Sequence, residues 1–302
     1  MTLDHRDGPI LLQRHDSALG RWLLARWRPA HLAGAVDQLW YFEGTVLHPR
    51  ERVFPGGYIE FNVQLGPCYG EVRGDRIERF APTCITGLLL RPNVIEAPRG
   101  PSIVLGVRLL PTGAYAVLGA PVHELTGVTV DLADVVGQAA AELVERCAAA
   151  ERRDPGRHDD DATIAARRLR VAADWVAERV ARGRLADPAI AWAAGEIARA
   201  GGAVSVTALR ERAGWSKSRF ATLFREQVGV APKRLARLVR FRRALELVSR
   251  GDLPLSGVAL AAGYYDQPHF NAEFRELAGL APGELRAARR YPESVNLAEP
   301  AR

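Results

Sequence analysis

Lysine is nearly absent from this chain. Of its 41 basic residues only Lys217 and Lys233 are lysine; the rest are arginine. Cysteine is scarce too. Cys68, Cys84 and Cys147 are odd in number and far apart. None falls in a CxxC spacing, so neither a zinc cluster nor a dithiol redox site is expected, and the thiols read as ordinary buried ones in a reduced, cytoplasmic protein. No uncharged apolar run reaches the roughly 18 residues of a membrane span, so no membrane partner is expected. Residues 1–20 are polar and lack the apolar stretch of a secretory leader. The histidines (His5, His15, His31, His48, His123, His158 and His269) stand singly, which leaves no candidate metal site. No serine–histidine–acid or phosphate-loop pattern occurs, so neither catalysis nor a cofactor is expected.

What is present is charge, unevenly placed. The 302 residues are 48% apolar and 25% charged, ordinary for a globular protein with room for two domains. Residues 202–292 carry 16 Lys/Arg against 8 Asp/Glu, a net of +8; the whole chain is +6, so the remainder is about −2. A basic module attached to a near-neutral one is the electrostatic pattern of a nucleic-acid binder, although GC-rich coding also enriches arginine.

Residues 28–128 read as strands: Asp37–Phe42, Tyr58–Leu65, Cys84–Leu90 and Ile103–Leu110 are short apolar stretches between glycines and prolines. In the second of these Ile59, Phe61, Val63 and Leu65 alternate onto one face. Gly74-Asp75 reads as a hairpin turn. From Leu132 the texture becomes helical: Ala139–Ala150, then, after a solvated loop over Asp154–Asp161, Ala162–Arg182 with Leu169, Ala172, Val176 and Val180 in a stripe. The fold expected is α+β and multidomain: an antiparallel β domain over 1–130, a helical linker over 131–186, an all-α domain over 187–292 and a flexible tail over 293–302.

The all-α segment contains a motif used twice. Phe220-Ala-Thr-Leu-Phe224-Arg225-Glu226, Gly229 and Ala231-Pro232 recur 50 residues later as Phe270-Asn-Ala-Glu-Phe274-Arg275-Glu276, Gly279 and Ala281-Pro282. Caps and stops divide the segment into helices. Asp187-Pro188 starts one; Ser205 and Ser216 cap two more; Pro232 opens a long one ending at Gly251; and a pair follows over Pro254–Ala262 and Asp266–Leu277. Two short helices around a tight glycine turn make a helix-turn-helix, here over 205–229 and 254–279. Phe220, Leu223 and Phe224, like Phe270, Phe274 and Leu277, are spaced to bury inward and leave the polar set facing out. Asp266 reads as a helix cap, Trp215 as core, and Arg240 as an internal buttress paired with an acid.

With Ala213-Gly214-Trp215-Ser216, Arg240-Phe-Arg-Arg-Ala244, Val258-Ala259, Gly263-Tyr264 and Ala281-Pro282-Gly-Glu-Leu-Arg286 added, residues 187–292 resemble the DNA-binding domain of the AraC/XylS family of bacterial transcription regulators. The resemblance implies two recognition helices entering successive major grooves, about one turn or roughly 34 Å apart. By position it puts base readout on Ser218, Ala221 and Thr222 of the first helix, with Lys217, Arg219 and Arg225 near phosphates, and on Gln267, His269, Asn271 and Ala272 of the second. Alanines 221 and 272 offer only apolar contact, for instance to a thymine methyl, so direct readout is thin. Arg225 and Arg275 face either phosphate or their neighbours Glu226 and Glu276. The partners implied are double-stranded promoter DNA, RNA polymerase, a small-molecule effector and a second copy of the chain.

The run Arg28-Pro29…Trp40-Tyr41…Phe54-Pro55-Gly56-Gly57-Tyr58-Ile59-Glu60-Phe61, with Gly106-Val-Arg108 through Leu125, resembles the cupin-like N-terminal domain of one branch of that family. Trp40, Tyr58, Glu60 and Arg108 are its candidate pocket residues, beside Phe42 and Tyr115; alternatively Glu60 and Arg108 form a mutual or solvent-facing ion pair. Two other functions remain open: an enzyme carrying a DNA-binding module, which would need a reactive cysteine, and a ligand-independent regulator whose N-terminal domain only binds protein.

Overall fold

The computed structural model describes residues 2–3, 7–151, 160–288 and 296–299. Its N-terminal part is built of β1 (Thr2–Leu3), β2 (Ile10–Ser17), β3 (Gly20–Trp27), β4 (Val36–Val46), β5 (Arg50–Val53), β6 (Ile59–Gln64), β7 (Gly70–Arg73), β8 (Arg76–Arg79), β9 (Thr83–Thr86), β10 (Asn93–Glu96), β11 (Ser102–Leu109) and β12 (Thr129–Asp131). A last strand, β13 (Leu297–Glu299), returns from the C-terminal end. All pairings are antiparallel. One sheet runs β1-β2-β3-β4-β11-β6-β9-β12, the other β13-β5-β10-β7-β8. The antiparallel β fold and the Gly74-Asp75 hairpin are as expected, and three differences stand out. Strands begin well before residue 28, because β2 and β3 pair from Leu11↔Arg26 to Ser17↔Gly20 around a tight turn. Leu88–Leu90 is not strand. Part of the expected tail is β13, which pairs Ala298 with Glu51 of β5.

Side-chain alternation gives the larger sheet two unlike faces. Leu23, Ala25 and Trp27, Leu39 and Tyr41, Ile59, Phe61 and Val63, and Leu105, Val107 and Leu109 are buried on one. That face is covered by α1 (Pro111–Leu118) and, beyond α2 (Ala133–Val136) and α3 (Ala139–Ala149), by α4 (Asp161–Arg182). The Phe61 and Trp175 rings meet edge to face, 5.4 Å between centroids. The opposite face looks into the space between the sheets, which is a cavity. The helix α1 was not expected from sequence. Pro111 opens it, and Gly113 lets it sit against β4's approach, where a Cβ would stand 2.2 Å from the carbonyl oxygen of Ala35. All but the end of the expected Asp154–Asp161 loop lies outside the described residues; Asp160 caps α4 by accepting from the Thr163 amide.

The rest is helical: α5 (Pro188–Arg199), α6 (Val206–Arg212), α7 (Lys217–Val228), α8 (Pro232–Arg250), α9 (Leu255–Ala261), α10 (Gln267–Ala278) and α11 (Pro282–Ala287). Asp187, Ser205, Ser216 and Asp266 each cap the following helix with a side-chain oxygen, and Gly229, Gly251 and Gly279 end α7, α8 and α10 in the left-handed region. The two helix-turn-helix units differ in what they pack on. Leu209, Phe220, Phe224 and Val228 of the first join the core that runs under the larger sheet. Phe270, Phe274 and Leu277 of the second form a separate core with Leu238, Phe241 and Leu245 of α8, and Phe54 of the N-terminal domain is buried in it.

Candidate functional site

The helix α7 shows Lys217, Ser218, Arg219, Ala221, Thr222 and Arg225 to solvent, while Phe220, Phe224, Gln227 and Val228 are buried. Its polar N-terminal half is therefore free to enter a groove. Arg219 lies over the Trp215 ring, 4.9 Å from its centroid, which fixes the guanidinium without neutralising it. Trp215 itself is half-buried against Phe220, in keeping with a core role beside the turn. On α10 Gln267, His269 and Ala272 are exposed. Asn271 is only half-buried, and its Oδ1 is shut off from solvent with no hydrogen-bond partner among the described residues. His269 packs edge to face on Tyr264. Asp266 is a cap: it accepts from the His269 amide at 2.7 Å.

Which arginines are engaged inside the protein and which are not separates the two candidate roles. Arg237 holds Glu273 at 2.8 Å and Glu276 at 2.6 Å. Arg240 holds Glu273 at 3.2 Å and lies 5.0 Å from the Tyr264 centroid, the internal buttress expected of it. Burial would raise the Glu273 carboxyl, but hydrogen bonds and charge from these two arginines hold it below its ordinary value. Glu226 accepts from the Tyr115 hydroxyl at 3.1 Å. With Glu226 and Glu276 so occupied, Arg225 and Arg275 have no acidic partner among the described residues, and neither has Lys217. All three are exposed cations.

The cavity between the sheets has a volume of about 410 Å³. Trp40, Tyr58, Glu60 and Arg108, singled out from sequence, all line it. The register brings them together: β11 lies between β4 and β6, with Gly106 opposite Trp40 and Arg108 opposite Glu60. Glu60 accepts from Arg108 Nε at 2.6 Å and from Trp40 Nε1 at 3.1 Å, and the Arg108 guanidinium stands 4.6 Å from the Tyr58 centroid. The pair is mutual, and it forms cavity wall. Gly106 matters here, since a Cβ would strike the Trp40 indole at 2.1 Å. Tyr115 is elsewhere, on α1.

Sequence reasoning missed the far wall. Arg242, Leu245 and Glu246 of α8 line the same cavity. Arg242 pairs with Asp37 at 3.0 Å and Glu246 at 3.2 Å, and its guanidinium stands 5.1 Å from the Tyr58 ring centroid. Glu51 of β5 is also wall, hydrogen-bonded by Asn296 beside β13. Burial raises its carboxyl to about 7, with the Asn296 bond lowering and the Glu60 charge raising it. No local signal marks these residues, because they meet only through tertiary structure. The same is true of the contacts that grip α7 and α10. Thr126 donates to the Gly229 carbonyl at 2.8 Å, at the end of α7, and Arg52 donates to the Ala278 carbonyl at 3.4 Å, at the end of α10.

The cysteines are free. Burial pushes the Cys84 and Cys147 thiols up to about 12, so at neutral pH they are protonated and poor nucleophiles. Among the described residues no group of three or more His, Cys, Asp or Glu is placed to hold a metal ion, and no helix is long and apolar enough to cross a membrane.

A family model described as a helix-turn-helix domain matches residues 209–288, and one described as a domain of unknown function matches residues 28–131. The chain is similar to the probable transcriptional regulator LumQ of Photobacterium leiognathi, 34% identical over 26% of this chain and 32% of that one. It is also similar to the RCS-specific HTH-type transcriptional activator RclR of Escherichia coli K12, 34% identical over 28% of this chain and 30% of that one. It thus spans about a third of the length of the curated relatives it matches. A structure of ToxT from Vibrio cholerae aligns over 82% of this chain and 97% of that chain, with 9% identity and a TM-score of 0.43.

Proposed function

We propose, for a chain whose residues 209–288 belong to the AraC-type helix-turn-helix domains, that the whole protein is a sequence-specific regulator of transcription. In this reading α7 and α10 enter successive major grooves of promoter DNA, and a small molecule in the N-terminal cavity modulates them. One observation carries the reading: the polar N-terminal residues of both helices are exposed, and Lys217, Arg219 and Arg225 of α7 and Arg275 of α10 have no acidic partner among the described residues, whereas Arg237, Arg240 and Arg242 of α8 do. Unengaged cations are available to phosphates, which give affinity; Ser218, Thr222, Gln267 and His269 are the groups left to read base edges. The helix α8 has 19 residues and so is about 28 Å long, a strut of the right order between grooves roughly 34 Å apart.

Modulation follows from where the cavity lies. Its wall includes Arg242, Leu245 and Glu246 of α8, the helix between the reading heads. Strand β5 offers Glu51 and Val53 to the cavity, and Arg52 between them holds the end of α10. Gly87 and Leu89 are wall, and Leu88 between them lies against Gly229 at the end of α7. A ligand that fits one arrangement of these segments better than another shifts the spacing of the heads by that difference in affinity. RNA polymerase and a second copy of the chain are the further partners such a role calls for.

Footprinting of the full chain on a selected fragment tests the proposal. Two protected patches on one face of the duplex, about one helical turn apart, are expected. A single short patch would remove the two-groove reading.

A further inference from the structure

The polar groups of the cavity wall are not evenly satisfied. Glu60 is matched by Arg108, and Arg242 by Asp37 and Glu246. Arg26 donates to Gln13 of β2, and Arg28 is exposed. Glu51 is different: the hydrogen bond that holds it comes from Asn296, an amide that brings no charge, and none of the ion pairs in the cavity includes it. The Glu60 charge opposes its ionisation and the Arg108 charge favours it by less, so the committed Glu60–Arg108 pair leaves Glu51 without net compensation. On the other sheet, the Asn62 Oδ1 is buried and accepts no hydrogen bond among the described residues. Both unmet groups are acceptors. Gln38, Gln64, Thr86 and Asn93 are further polar members of the wall, and the rest of it is apolar, with the aromatic rings of Trp22, Phe42, Tyr69 and Phe80 among its residues.

A desolvated carboxylate with no ion-pair partner of its own costs free energy that an incoming positive charge removes, and aromatic faces favour a cation a second time. An anionic ligand would find each wall arginine that is not exposed already held. We propose that the cavity takes an organic cation, a protonated amine on an apolar or aromatic body, with its ammonium on the Glu51 carboxylate. This deepens the effector reading above and rests on it. The amine supplies the donors that Glu51 and Asn62 lack, and its body replaces water along the aromatic wall. It would also set a ligand against β5, the strand whose Arg52 holds the end of α10.

The test uses the full-length protein and three probes of one shape: 3-phenylpropylamine, 3-phenylpropanol and 3-phenylpropionate, followed by calorimetry and thermal melts. The amine is expected to bind and raise Tm, the alcohol to bind at least tenfold more weakly, and the acid not to bind. Glu51→Gln should weaken the amine at least tenfold, while Glu78→Gln, at an exposed carboxylate of β8 outside the cavity wall, leaves it within about twofold. Equal binding of amine and alcohol, preference for the acid, no binding of the amine, or loss with Glu78→Gln but not Glu51→Gln would each overturn the proposal. The probe series on the unaltered protein decides the matter even if Glu51→Gln does not fold. The same sample is assayed on DNA. Protein that binds DNA but ignores the amine sinks the ligand class alone; protein that binds the amine but no DNA sinks the regulator reading alone.

Discussion

The two reading heads come from one motif but are held in different ways. In the first, position 223 is leucine, and the helix rests on the apolar core that continues beneath the larger sheet. In the second, the matching position 273 is a buried glutamate clasped by Arg237 and Arg240. The first head carries Lys217, Arg219 and Arg225 outward; the second shows Gln267, His269 and Arg275. In the proposed function the first unit brings more charge to the DNA backbone than the second, whose orientation is fixed by ion pairs to α8. Repetition of a sequence motif repeats the helices, not the forces that seat them.

The largest expected effects break the packing. Phe224→Ala and Phe274→Ala should each cost about 3–5 kcal/mol, since both rings are fully buried. They should differ in what unfolds. None of the six tryptophans lies beyond Trp215, so indole fluorescence is blind to the second head. In urea, Phe274→Ala should show helical circular dichroism falling before fluorescence, whereas for Phe224→Ala the two should fall together. Coincident curves for both would mean that the separate cores do not unfold separately.

Glu273→Ala comes next, at about 2–3 kcal/mol. It strands Arg240 and leaves Arg237 with Glu276 alone, and both arginines reach solvent, so the loss is smaller than that of a fully buried pair. The sign of the pH effect follows from the direction of the shift. The folded carboxyl is held below the ordinary glutamate value of 4.5, so its stabilisation is complete above that pH and is lost as pH falls through the folded value. Glu273→Gln should flatten the acid side of the stability profile; an unchanged acid limb would count against the clasp. Leu223→Ala, its counterpart, should leave that limb alone.

On DNA, Lys217→Ala should weaken binding to all sequences and reduce the salt slope by about 0.9, while Gln267→Ala at the matching position leaves the slope unchanged and alters sequence preference. Equal slopes in the two variants would erase the proposed division of labour. Thr222→Ala combined with Asn271→Ala should weaken specific binding more than non-specific binding. The buried Oδ1 of Asn271 makes Thr222 the expected source of most of the change. The smallest effect is that of Thr126→Val, about 1 kcal/mol in chemical denaturation, for one lost hydrogen bond to Gly229.

Local chemistry was legible in the sequence; long-range pairing was not. Asp187, Ser205, Ser216 and Asp266 announce their helices because a cap acts within three residues of itself. Trp40, Tyr58, Glu60 and Arg108 could be picked out as unusual residues in strand-like runs, but their meeting depends on β11 lying between β4 and β6, which no spacing reveals. Arg242 and Glu51 escaped altogether: one sits on a helix of the other domain, and the other owes its burial to a different sheet and to Asn296, 245 residues away. The strands β2 and β3 give no clear strand signal because Gln13, Arg14, His15, Asp16 and Arg21 make the segment read as polar.

Phe54 carries a lesson for anyone building hybrids. It belongs by sequence to the β-rich N-terminal half, yet it is buried among Leu238, Phe241 and Phe274 in the helix-turn-helix half. Grafting residues 187–288 onto a foreign N-terminal domain would leave a phenyl-sized hole beneath the second helix-turn-helix unit. The natural seam for exchange therefore runs around the Phe54-Pro55-Gly56-Gly57 loop, which should travel with the helical half.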